Sequence, residues 1–123
     1  MRNDRGSAPL EAAVVYPVAL LLILLVVNTA LYFHARNIAL SAAQEGLRVG
    51  RAHGSSTGAG QGAAQRVISQ VGSSFLLGPS VSVSRTGDTF EVEVRGEAIS
   101  LVPLLTLKVE QVARAPIEKW TSG

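Results

Sequence analysis

Cysteine is absent from all 123 residues, which excludes disulfide cross-links and thiolate metal sites as supports for the fold. Histidine is scarce as well. His34 and His53 lie far apart, and neither belongs to a Glu-x-x-His arrangement, so no zinc site and no other cofactor is expected. Charge of one sign is also lacking: 11 basic residues face 9 acidic ones and are spread along the chain. That pattern makes no nucleic-acid footprint, and no nucleic-acid partner is expected. No Ser-His-Asp order or nucleophile elbow occurs. Glu91 and Glu93 share one face of an alternating segment and read as its solvated side rather than as an acid/base pair. The Gly-rich stretch from Gly54 to Gly62 lacks the Lys-Ser/Thr of a phosphate loop, and no strand precedes it. The chain therefore reads as non-enzymatic.

A long apolar run stands out against these absences. Sixteen consecutive residues from Ala12 to Val27 carry no charge or polar amide, and with Asn28 and Thr29 admitted the stretch continues to Phe33. As a helix rising about 1.5 Å per residue it covers about 33 Å, enough to cross a bilayer. The rest amounts to ~90 residues, one small domain near the lower end of independent stability. Before the run stands Arg5-Gly6-Ser7-Ala8-Pro9-Leu10-Glu11, which places a carboxylate at the start of the segment.

Three readings of this N-terminus compete. A cleavable secretory signal, giving a secreted soluble domain, is supplied with Arg2 and Arg5, but its apolar core is long. The best small-residue exit, Ser41-Ala42-Ala43, lies well beyond that core. A plain uncleaved anchor accounts for the length of the run but not for Glu11, except as an interfacial acid favoured by the helix dipole. The third reading accounts for both. Gly6, then Glu11 at the fifth position after it, then an unbroken apolar helix resembles the processing site of type IV prepilins. More narrowly, Arg5-Gly6-Ser7-Ala8 with Glu11, Ala13 and Pro17 resembles the start of the TadE family of minor pilins or pseudopilins of tight-adherence (Flp) pilus systems. The residue after the glutamate, often aromatic in that family, is Ala12 here.

That resemblance implies a leader over residues 1–6, cleaved between Gly6 and Ser7 by a prepilin peptidase. It also implies pairing of Glu11 with the new N-terminal amine of a neighbouring subunit, in a low dielectric that strengthens the contact. The expected partners are the peptidase, major and other minor pilins, the pilus assembly platform and membrane lipid. The expected location is the inner membrane, crossed once with the N-terminus cytoplasmic and the head extracytoplasmic, and the pilus after assembly. Arg2 and Arg5 on one side against Arg36, Arg48 and Arg51 on the other leave the orientation undecided by charge. Pro17 kinks or loosens the helix, and Tyr32, Phe33 and His34 form an interfacial belt at its far end. The alternative is an uncleaved single-pass accessory protein whose head binds other envelope proteins.

Beyond Phe33 the helical period continues, so one helix is expected over 7–53 with its membrane segment at about 12–33. Asn37, Ser41, Gln44, Arg48 and Arg51 form a polar stripe. Ala35, Ile38, Ala42 and Val49 form an apolar face, with Leu40, Ala43 and Leu47 beside it. Ile38, Ala42 and Val49, together with Glu11 and Pro17, are candidates for packing between subunits; complete coverage by the chain's own head is the other reading. Residues 54–62 read as a flexible linker, and 63–123 as the head. Within it a helix is expected from Gly62 to Leu77, stopped by Gly78-Pro79. Val81 and Val83, a turn at Thr86-Gly87-Asp88, and Phe90, Val92 and Val94 announce a half-buried hairpin. A further strand is expected from Leu105 to Ala113, closed by Pro116. The sum is an α+β architecture, pilin-like, with a second helix on a three-stranded antiparallel sheet.

Overall fold

The computed structural model describes residues 4–52, 54, 56–102 and 105–117, with side chains from Ala8 onward. Helix α1 (Asp4–Ala52) passes through Pro9 and Pro17 without a break. It is followed by α2 (Thr57–Val67), which continues into a short π-helical segment, Ile68–Gly72. Strands β1 (Leu76–Thr86), β2 (Thr89–Ala98) and β3 (Leu107–Pro116) then form one antiparallel sheet in the order β1-β2-β3. The expected α+β class and three-stranded sheet are present.

Two expected boundaries are corrected. Residues 54–62 do not form a linker: α2 begins at Thr57, because the Ser56 side chain accepts a hydrogen bond from the Ala59 N–H at 3.2 Å and caps the helix. Glycines at 58, 60 and 62 made the segment look unstructured, since glycine disfavours helices by about 1 kcal/mol; packing against α1 overrides that penalty. Gly78-Pro79 does not stop a helix either. The pair lies inside β1, where the register to β2 shifts between Leu77 and Ser80. β1 is an edge strand, so the missing N–H of Pro79 is tolerated.

The chain doubles back after α1. The Ser56 N–H bonds to the Gly50 carbonyl at 3.1 Å, and α2 runs antiparallel along α1, with Gly60 beside Gly46 and Gly72 beside Ile38. The contact at Gly46 is backbone to backbone. A Cβ there would lie 2.8 Å from the Gly60 carbonyl oxygen and 3.2 Å from Val92, so α1, α2 and the sheet meet where no side chain fits. Burial follows from the alternation in β2: Phe90, Val92, Val94 and Ala98 point into the core, joined by Leu76, Val109 and Ala113. α1 lies over β2 and β3, and α2 over β1.

The opposite face of the sheet carries charge in register. Glu91 stands opposite Arg114, Arg95 opposite Glu110, and Glu97 opposite Lys108. The first two pairs make ion contacts at 3.4 and 3.8 Å, and Arg95 also bonds Glu93. Each such pair contributes about 0.2–1 kcal/mol, and a one-residue slip would break them all. On α1, Arg48 bonds Glu45 at 2.6 Å and holds that carboxyl below the ordinary carboxylate range. Because the folded value is lowered, this contribution is present above the ordinary range and lost as pH falls through the lowered value.

Candidate functional site

Exposure along α1 divides it into two parts. From Ala8 to Val27 nearly every residue is exposed, including Val14, Leu20, Leu21, Leu22, Ile23 and Leu25. The first buried position is Asn28, and from Ala35 onward small residues of the helix are fully enclosed by the head. The bare segment is about 20 residues and so roughly 30 Å long, matching the hydrocarbon thickness of a bilayer. α1 is long and apolar enough to cross a membrane, and none of its apolar window is buried inside the chain. A soluble core helix would be covered; this one is left open along nearly its whole apolar length.

The bare segment ends earlier than the expected Phe33, and the reason is Asn28. This side chain is only 4 % exposed although it stands in an apolar run. Its Oδ1 accepts hydrogen bonds from the Leu101 N–H at 3.0 Å and from the Ser100 hydroxyl at 3.1 Å. A backbone N–H can only donate, so the atom facing it is the amide oxygen. The β2–β3 connection is thereby tied to the helix. A polar residue interrupting an apolar run was the visible signal, but its partners lie more than 70 positions away in sequence and no local pattern points to them. Above this junction Tyr32 is half-buried and Phe33 exposed, with their rings edge to face at 5.5 Å, and His34 meets Phe75 edge to face at 4.6 Å.

The residues singled out in the sequence fall into three groups. Gly6 and Ser7 lie in the first turns of α1, and the surroundings of their side chains are outside the described residues, as is His53. Glu11 and Pro17 are exposed on the bare segment, with Glu11 about one turn from its N-terminal end. Ile38 and Ala42, expected between subunits, are instead in the core of the chain's own head, 4 % and 0 % exposed, and Val49 is half-buried. The correction has a simple cause. The sheet and α2 close over the small-residue face of α1, and Gly72 fits against Ile38 so closely that a Cβ would lie 2.3 Å from its Cγ2. Among the described residues no three His, Asp or Glu side chains converge as metal ligands would.

The bare segment, on which Glu11 is the one carboxylate from Ala8 to Val27, is the longest stretch of apolar surface left exposed among the described residues. No curated protein and no solved structure matches the chain. Residues 6–48 match the model of the family described as TadE-like protein, beginning at Gly6 and ending within the part of α1 that the head encloses. The N-terminal helix that crosses from the bare segment into the head is therefore similar to the TadE-like family over residues 6–48 of the chain's 123.

Proposed function

We propose that the chain is a minor pilin or pseudopilin, made as a prepilin, trimmed after Gly6 by a prepilin peptidase, and assembled through the bare part of α1. The observation that carries this reading is the exposed carboxylate of Glu11 on a helix surface that is otherwise apolar from Ala8 to Val27. A charge at such a site costs about 2.5–3.5 kcal/mol at the bilayer centre on insertion scales, less towards the interface, and is retained where a partner offsets it. Trimming after Gly6 would create that partner, the amine of Ser7 on a neighbouring subunit. The N-terminus then lies in the cytoplasm and the head outside the inner membrane. The family match supports the pilus system, and the folded head from Val49 onward, outside that match, suits a minor subunit.

Because Ile38 and Ala42 are self-buried, the subunit packing in this reading uses the part of α1 below Asn28, with Pro17 on that surface. The same self-burial favours a second reading, an uncleaved single-pass accessory protein that engages other envelope proteins through its head. The two separate on Glu11→Ala. In the pilin reading this variant inserts and folds like the parent, but its cross-linking to the other pilins through single cysteines on the bare segment is lost. Parental cross-linking by Glu11→Ala would reject the pairing and favour the accessory protein.

A further inference from the structure

Between β2 and β3 the sequence reads Ile99-Ser100-Leu101-Val102-Pro103-Leu104-Leu105, an apolar string in a connection that ordinarily would be polar. Leu101, Val102 and Leu105 are exposed by 48 %, 36 % and 41 %. They are not at the hairpin end of the head. The β1–β2 turn, with Gly87, points away along the sheet, whereas this connection leaves the opposite end beside Phe75, whose carbonyl accepts the Ile99 N–H at 3.1 Å.

Its place on α1 is fixed by Asn28. Leu101 and Val102 border an open groove of about 560 Å³ whose other wall is Val18, Leu21, Leu22, Leu24 and Leu25. Those helix residues lie roughly 5–15 Å below Asn28 at 1.5 Å per residue. A bilayer that covers Ala8–Val27 therefore reaches the loop, since the groove has helix and loop as its two walls.

We propose that this loop is a second membrane contact: Leu101, Val102 and Leu105 enter the outer leaflet beside α1, and lipid acyl chains fill the groove between them. The proposal rests on α1 spanning the bilayer. Asn28 is the positioning residue. Its amide oxygen satisfies the loop's Leu101 N–H and Ser100 hydroxyl at the depth where water becomes scarce, which removes the cost of bringing a backbone polar group to the hydrocarbon edge. The Val102 N–H is likewise satisfied, by the Ser100 hydroxyl at 3.1 Å, and the Leu105 N–H by the Val102 carbonyl at 3.3 Å. α1 and the head are one packed unit, so a second point of contact restricts their tilt and holds the sheet at a fixed attitude to the membrane.

The chain has no cysteine, so single-cysteine variants of the full-length protein report one site each. Leu101→Cys, Leu105→Cys, Leu21→Cys and Ser84→Cys would be labelled with an environment-sensitive fluorophore. They would then be reconstituted into vesicles of phosphatidylethanolamine and phosphatidylglycerol, with and without phosphatidylcholine carrying a nitroxide high on its acyl chain. The expected result is quenching at 101 and 105 of at least half that at 21, with blue-shifted emission, and little quenching at 84. Quenching at 21 with none at 101 and 105 overturns the loop contact while the span stands. Blue-shifted emission at 101 without lipid quenching means that protein covers the loop, and also overturns it. Absence of quenching at 21 overturns the span itself, and the loop proposal with it.

Discussion

Phe90→Ala is expected to cost the head about 3–5 kcal/mol, the largest loss from any single truncation among the described residues. Phe90 is the largest fully buried side chain. Its ring fills the end of the core farthest from the bare segment, where a Cβ on Gly50 or Gly60 would lie 2.5 or 3.3 Å from its Cζ. Those glycines cannot move in to fill the space, because neither has a side chain and both are held in helices. The cavity therefore persists, and the cavity penalty adds to the lost transfer energy. Folded domains hold only about 5–15 kcal/mol in total, so the variant should lose about a fifth or more of its margin. Pulse proteolysis of the full chain in nanodiscs would show the urea midpoint falling by at least about 1.5 M, at a slope of ~1–2 kcal/mol per M. A midpoint within a few tenths of the parent's would mean that Phe90 is not the centre of the core.

Gly50→Leu should be destabilising by about 1–3 kcal/mol or more, for the complementary reason. Helix propensity alone predicts the opposite sign, a gain of up to about 1 kcal/mol for leucine over glycine in a helix interior. Sterics decide, since a Cβ would overlap Cζ and Cε1 of Phe90 at 2.5 and 2.7 Å and approach the Ser56 carbonyl at 3.2 Å. The ring is enclosed on all sides and has nowhere to rotate. The two variants share one volume, and so they should not be additive. Gly50→Leu combined with Phe90→Ala should be more stable than the sum of the single losses implies, by about 0.5–3 kcal/mol. Strict additivity, or stabilisation by Gly50→Leu alone, would contradict the packing of α1 on β2.

These glycines also show where the sequence was legible and where it was not. The strands were readable because β2 obeys strict alternation: Phe90, Val92 and Val94 face the core while Glu91, Glu93 and Arg95 face the charge ladder. The membrane-length helix was readable from hydropathy alone. α2 was not, because the Gly58, Gly60 and Gly62 that signal a linker in isolation include the residue that lets α1 approach. Local propensity gave way to a contact between positions 46 and 60. The face of α1 carrying Ile38 and Ala42 was legible as apolar, but periodicity cannot say whether the chain or its neighbour covers such a face. Three-dimensional closure by the head decided it. Asn28 was visible only as an interruption, because its role depends on Ser100 and Leu101, which the fold delivers from the far end of β2. At the N-terminus the reverse holds. Gly6, Ser7 and Glu11 stand out only through their spacing, and the fold adds that Glu11 is exposed on an otherwise apolar helix.

The central claim is that Gly6 ends a leader and Glu11 serves a filament. The most direct measurement is the mature N-terminus, by intact mass and N-terminal peptide sequencing of protein recovered from cells that carry the cognate peptidase. A chain beginning at Ser7 is the predicted result and would place the free amine where Glu11 of a neighbour can meet it, whereas a chain that still begins at Met1 or Arg2 would contradict prepilin processing.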